Sequence, residues 1–231
     1  MDRRVFHPKF HKPYLKLNLN HINFPIHLSC NLRNSFNNLP LDPYINDNTR
    51  YRRYANYSVK ISNNFPNYRV NHNIKNTFKQ NVKDDRKEER IFESLENPQD
   101  PFIFEYIRYI SKLLNISKTF EELSIDVHQV RQVTYPGIDS HNSPEGIHQD
   151  GCDYVVPSLI LKRFNIRGGL SSIYDKDKKV IDKFLLGKYD FTLLNDKELY
   201  HYVTPIIYYE SDGFDQYGFR DLIGLDIHII K

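Results

Sequence analysis

His148 and Asp150 are separated by one residue in the stretch Ser143-Pro144-Glu145-Gly146-Ile147-His148-Gln149-Asp150-Gly151. On an extended strand that spacing points both side chains to one face. An imidazole and a carboxylate side by side can fill two adjacent positions of a metal. A second imidazole from a distant strand would complete a 2-His-1-carboxylate face, which leaves positions open and suits non-haem Fe(II) oxygenase chemistry. Of the ten histidines, His7, His11, His21 and His27 fall in an Asn- and Pro-rich N-terminal stretch, and His72 in a polar one. His128 precedes the pair, His141 sits in the turn before it, and His228 is three residues from the end. His201, 51 residues after Asp150 and inside a strand-like run, is the best third ligand. Arg220 follows 19 residues later on the next predicted strand. A guanidinium fork binds a carboxylate bidentately, as the far end of a 2-oxo diacid would require. The plainer readings are a polar pair on a strand for His148 and Asp150, and an ion pair with Asp221 or Asp226 for Arg220. The same three ligands would also serve a zinc hydrolase.

These side chains need a scaffold of strands. Alternating or buried-looking runs predict strands over 57–61, 125–133, 154–166, 190–194, 199–207 and 219–230. Gly168-Gly169, Asn195-Asp196 and Ser211-Asp212-Gly213 punctuate them as turns, as does Asp42-Pro43-Tyr44 earlier. One helix is clear. Asp100 is a good N-cap, Pro101 suits the first turn, and Ile103, Ile107, Ile110 and Leu114 form one apolar face ending near Asn115. The charged segment 81–90 reads as a surface loop or short helix. A helix followed by many strands gives a mainly β (α+β) sandwich or barrel with helical support. Residues 1–40 read as an irregular arm packed on a domain spanning 41–231.

Composition limits the function classes. Two cysteines, Cys30 and Cys152, cannot build a disulfide scaffold or a Cys-based zinc module. No apolar run approaches a membrane span and no signal peptide is visible, so a cytoplasmic protein is expected. Mean hydropathy is −0.63, but 17 Tyr and 15 Phe supply core volume. Residues 1–90 hold 17 Lys+Arg against 7 Asp+Glu, and 91–231 hold 15 against 22. The basic half raises nucleic-acid binding, but no recognised motif accompanies it, and a solvated basic face accounts for it.

Several motifs together resemble the 2-oxoglutarate/Fe(II) dioxygenases of the bacterial L-isoleucine 4-hydroxylase type. They are Pro144-Glu145-Gly146-Ile147-His148-Gln149-Asp150-Gly151, Val127-His128-Gln129-Val130-Arg131, Arg163-Phe164-Asn165-Ile166-Arg167-Gly168-Gly169, Asn195 through Ile206 with its Tyr200-His201-Tyr202, and Gly218-Phe219-Arg220-Asp221. Asp42-Pro43-Tyr44 and Arg50-Tyr51-Arg52-Arg53-Tyr54 add to them, so the likeness runs from about residue 40 to 226. The resemblance implies a double-stranded β-helix (a cupin-like jelly-roll) with supporting N-terminal helices. It implies iron held by His148, Asp150 and His201, and Arg220 on the C5 carboxylate of 2-oxoglutarate. It further implies hydroxylation of an aliphatic C–H of a small molecule, a free L-amino acid, using Fe(II), 2-oxoglutarate and O2. Asp150 favours hydroxylation over halogenation, which needs that position vacated for halide.

Around this centre Asn165 is a candidate co-substrate contact. Arg131 and Gln132 are candidates for a substrate carboxylate, and Glu145 for a substrate amino group. An ion pair, a strand-edge hydrogen bond or a turn would equally occupy these four. Cys152 continues the alternation from 148 and 150, and a small buried apolar role accounts for it. Another small metabolite, a carrier-bound or peptide substrate, and a non-catalytic jelly-roll binding protein are the competing expectations. Neither membrane nor nucleic acid is an expected partner. The oligomeric state is not specified by the sequence.

Overall fold

The computed structural model describes residues 13–62, 67–80, 88–115, 121–209 and 216–230. Fourteen strands and two α-helices are defined within them. The dominant element is a seven-stranded sheet in the order β1-β11-β7-β14-β6-β2-β3. Its strands are β1 (Tyr14–Asn18), β2 (Arg50–Ser62), β3 (Asn67–Asn73), β6 (Glu122–Thr134), β7 (Tyr154–Phe164), β11 (Asp190–Asn195) and β14 (Gly218–Ile230), and every pairing is antiparallel. A smaller sheet has the order β10-β9-β12, from β9 (Leu170–Tyr174), β10 (Val180–Leu185) and β12 (Tyr200–Val203). Two short pairs complete the set: β4 (Thr77–Phe78) with β5 (Arg90–Ile91), and β8 (Ile166–Gly168) with β13 (Ile206–Tyr208).

Period-2 alternation divides the large sheet between two cores. Val127, Leu159, Ile223 and Leu225 join a cluster with Phe102, Ile103, Ile107 and Ile110 of α2 (Pro101–Asn115). Val130, Ile160 and Leu222 face the other way, clustering with Ile173, Phe184 and Leu199 of the small-sheet side. Two antiparallel sheets face to face, with helical cover on the outer side of the larger, form the jelly-roll that the motifs imply. The expected α2 forms as its sequence indicates. The Asp100 carboxylate accepts from the Phe102 N–H at 2.9 Å, and Ile107, Ile110 and Leu114 are wholly buried. Each such side chain contributes about 1.5–3 kcal/mol of burial.

Residues 13–40 are not an irregular arm. Tyr14–Asn18 is an edge strand on β11, Ser29–Ser35 is α1, and Leu19, Leu32 and Phe36 are buried in the main core. Residues 1–12, most of the charged segment 81–90 and the turn at 211–213 lie outside the described residues. The strand expected over 199–207 is two strands broken at Thr204-Pro205, since proline cannot donate to a ladder. That expected over 154–166 ends at Phe164, where Asn165 takes φ +47°. No helix among the described residues is long and apolar enough to cross a membrane.

Candidate active site

His148 and Asp150 do not sit on a regular strand. They lie in the loop between β6 and β7, and a single antiparallel bridge joins His148 to His201 on β12. The His148 N–H donates to the His201 carbonyl at 3.1 Å, and the His201 N–H donates back at 2.9 Å. This doubled contact holds the two imidazole rings 4.3 Å apart between centroids. One donor atom from each of His148, Asp150 and His201 lies within 4.8 Å of the others.

The donor set fits a divalent metal. Gly146, at φ +80°, turns its carbonyl onto His148 Nδ1 at 2.8 Å. A carbonyl only accepts, so Nδ1 carries the proton and Nε2 keeps its lone pair for a metal. Asp150 Oδ1 is 3.7 Å from His148 Nε2, and Asp150 Oδ2 is 3.3 Å from His201 Nε2. Burial lowers the pKa of both imidazoles. In His148 it prevails, reinforced by His201; in His201 the Asp150 hydrogen bond and charge reverse it. His201 Nδ1 is buried without a hydrogen-bond partner.

Two residues that the sequence reading passed over fix the Asp150 loop. Asp196, 2% exposed, accepts backbone N–H bonds from Asp150 at 3.0 Å, Gly151 at 2.8 Å and Cys152 at 3.1 Å. The Gln80 side-chain amide donates to Asp150 Oδ1 at 2.8 Å, while its oxygen accepts from Arg90 at 2.5 Å. Asp196 reads from sequence only as a turn residue, and side chain-to-backbone contacts of this kind carry no spacing signature. Cys152 is buried in the inter-sheet core.

The triad opens onto a cavity of about 300 Å³, walled also by Arg52, His128 and Asp226. Glu145 also lines it, with Oε1 3.1 Å from His148 Nε2. Arg220 is on the same face of β14 as Leu222 and Gly224, which wall the cavity, and lies two positions beyond Leu222. It is 1% exposed, and its side chain is held by an amide: Nε and Nη2 both donate to Gln132 Oε1, the former at 3.0 Å. Burial, with Arg163 opposite it on β7, pushes its pKa down to about 9, which leaves it cationic at neutral pH. A buried cation beside a second guanidinium fits a carboxylate ligand. Gly169 makes room for it, since a Cβ there would stand 2.8 Å from Arg220 Nη1.

The three remaining expected contacts each have protein partners. Arg131 is on the opposite face of β6 from Gln132 and binds Asp221 through Nε at 2.6 Å and Nη2 at 2.8 Å. Strand alternation thus turns it away from the cavity. Gln132 spends its oxygen on Arg220 and so positions that guanidinium, while its Nε2 is buried without a hydrogen-bond partner. Asn165 forms the kink between β7 and β8, where its carbonyl accepts from the Tyr209 N–H at 2.9 Å, and like Arg220 it lies outside the wall of the triad's cavity.

Comparisons with known proteins bear on the fold and the family. No curated protein sequence matches the chain. Among solved structures, IDO from Bacillus thuringiensis is similar at a TM-score of 0.73 and 19% identity, covering 95% of this chain and 91% of that one. A bsmA homolog from Methylobium petroleophilum PM1 gives 0.81 and 20%, with 95% and 89% covered. The Fe(II)/α-ketoglutarate-dependent dioxygenase TqaL gives 0.69 and 15%, with 95% and 84% covered. At such identities the likeness establishes the fold. The family itself is established by sequence: residues 33–226 match the 2OG-Fe dioxygenase family, and the chain belongs to it, sharing its use of Fe(II), 2-oxoglutarate and O2.

Proposed function

We propose that this chain hydroxylates an aliphatic C–H bond of a small substrate, a free L-amino acid, with release of succinate and CO2. The observation that carries this reading is the convergence of His148, Asp150 and His201 to within 4.8 Å in the wall of a charged cavity. In this reading those three side chains hold Fe(II), and Arg220 takes the distal carboxylate of 2-oxoglutarate. With the metal, 2-oxoglutarate and O2 bound, decarboxylation to succinate supplies the oxidant that places one oxygen atom in the substrate. The protein's part is orientation and exclusion of water. His148 offers Nε2 because Gly146 holds its Nδ1 proton. Asp150 keeps its carboxylate in place through Gln80 and the Asp196-tethered loop. Gln132 aims Arg220. Glu145 is positioned to meet a substrate amino group beside the metal face. Free thiols, Cys30 exposed and Cys152 buried, support a reducing, cytoplasmic setting.

The test is anaerobic addition of Fe(II) and 2-oxoglutarate, followed by a succinate-release screen over the proteinogenic amino acids with mass detection. A weak visible charge-transfer band and a product one oxygen atom heavier are expected. Both are lost in His148→Ala, Asp150→Ala and His201→Ala. No band and no succinate would overturn the oxygenase reading. Turnover without O2 or 2-oxoglutarate would point to hydrolysis instead. Succinate release with only a non-amino-acid substrate would overturn the substrate class alone.

A further inference from the structure

The cavity wall includes a buried cation, Arg52, that neither the metal triad nor Arg220 uses, beside the less buried Arg50 and Arg90. Arg52 is on β2, directly across from Val130 of β6, and its side chain walls the cavity together with the triad. The residue is 9% exposed. Its guanidinium makes one hydrogen bond, from Nη2 to His128 Nδ1 at 2.6 Å, and Nε is buried with no partner. The carboxylates around it are committed elsewhere. Asp42 is bound to Arg50 at 2.7 Å, and Asp226 lies on the far side of His128, 3.4 Å from Nε2. His128 cannot serve as a counter-ion. Burial and the Arg52 charge hold its pKa well below the ordinary value, so it is a neutral ring accepting at Nδ1. The guanidinium lies 4.3 Å from the Phe92 ring centroid and 5.6 Å from that of Phe78. These rings fix its plane and supply no negative charge. Burial of a cation without an ionic partner is costly unless an anion completes it.

We propose that Arg52 is the anion subsite of this cavity and binds the carboxylate of the substrate that is oxidised. Two carboxylates are available in this chemistry, one from the substrate and one from 2-oxoglutarate. Arg220 answers the second on its own section of the sheet, so Arg52 is assigned to the first. This replaces Arg131, whose Nε and Nη2 are taken by Asp221, as the substrate-carboxylate contact, and leaves Gln132, whose oxygen holds Arg220, on the side of the co-substrate arginine. The identity of the ligand rests on the oxygenase reading; the existence of the subsite does not.

The experiment is calorimetric titration of the Fe(II)- and 2-oxoglutarate-loaded protein, without O2, using isocaproate and its uncharged counterpart isocaproamide. Wild type is expected to bind the acid more tightly than the amide by about tenfold or more, as a charge-assisted contact provides. Arg52→Met should bind acid and amide alike while keeping wild-type affinity for 2-oxoglutarate. Arg52→Lys, which keeps the charge but loses the fork, should retain a reduced preference, and serves if the Met variant does not fold. A retained acid preference in Arg52→Met, or none in wild type, overturns the proposal. Loss of 2-oxoglutarate affinity in either variant overturns it too, by giving Arg52 to the co-substrate. Because no turnover is measured, an acid preference without succinate release in the amino-acid screen would sink the oxygenase reading and leave the subsite standing.

Discussion

A carboxylate that accepts several backbone N–H groups does more than one imposed by charge alone, because it fixes the conformation of the segment that donates them. Asp196 does this for Asp150, Gly151 and Cys152 from within the protein. Asp196→Ala leaves those buried donors without their acceptor. Its expected cost is about 3 kcal/mol of stability, read from urea unfolding. Metal affinity should fall by about 10–100-fold, as for other residues that orient ligands. A variant that loses stability but binds Mn(II) normally would show that the loop holds its shape unaided. Asp226 gives a different residue-scale prediction. Burial raises its pKa, with Asp150, Asp126 and Asp196 adding to the rise and Arg52 opposing it. The folded chain therefore keeps this proton to higher pH than the unfolded chain. Stability is full below the unfolded value and declines as pH rises above it. Thermal unfolding of the metal-free chain should show Asp226→Asn melting above wild type at about pH 7, the two converging below about pH 4. An offset that is constant with pH would mean packing, not ionisation, separates them. The His148, Asp150 and His201 cluster was legible in sequence because metal chemistry dictates residue type and close spacing, even though the first two stand in a loop and not on the strand their spacing suggests. Asp196, Gln80 and Arg52 were not, because what identifies them is which neighbours fold against them.

Strand alternation governs the next scale. Along β6, His128 and Val130 face the cavity, Gln132 faces Arg220, and Val127 and Arg131 face the other way. Sequence reading recognised the alternating run yet placed the neighbours Arg131 and Gln132 in one role. Adjacent residues on a strand cannot share a face. Arg131 instead pairs with Asp221, its register partner on β14, where Asp221 is 3% exposed. Arg131→Ala strands that buried carboxylate. The expected loss is about 2–3 kcal/mol in urea unfolding, below a fully buried pair because Arg131 keeps some exposure. Affinity for 2-oxoglutarate and for isocaproate should be unchanged; a weakened affinity at full stability would return Arg131 to the site. Helix α2 and the long strands were legible from strong period and capping. β10 was missed because its run at 180–185 leaves Val180, Ile181 and Leu185 exposed, without a clean inward stripe. β1 and α1 were missed because an Asn-rich stretch carries little periodicity, although it buries Leu19, Leu32 and Phe36.

At the scale of the whole molecule, the triad spans separate parts of the chain. His201 belongs to the small sheet through β12, whereas His148 and Asp150 stand in the loop that links β6 to β7 of the large sheet. A metal held by all three would connect the two layers across the cavity, where the link today is the bridge between His148 and His201 and the Asp196 contacts. Binding to the folded state alone stabilises it by mass action, by about 2.7 kcal/mol when free metal is a hundredfold above Kd. Mn(II), which suits this N/O donor set without reacting with O2 on the time of a melt, should therefore raise Tm of the wild-type chain. His201→Ala should abolish that increment, because removing its imidazole removes the only ligand from the small sheet. The metal-free Tm of the variant need not fall to the same degree, since the His201 backbone retains its bridge. The decisive quantity is the difference between metal-bound and metal-free Tm within each variant. An equal rise in wild type and His201→Ala would place the metal elsewhere and remove the small sheet from the centre.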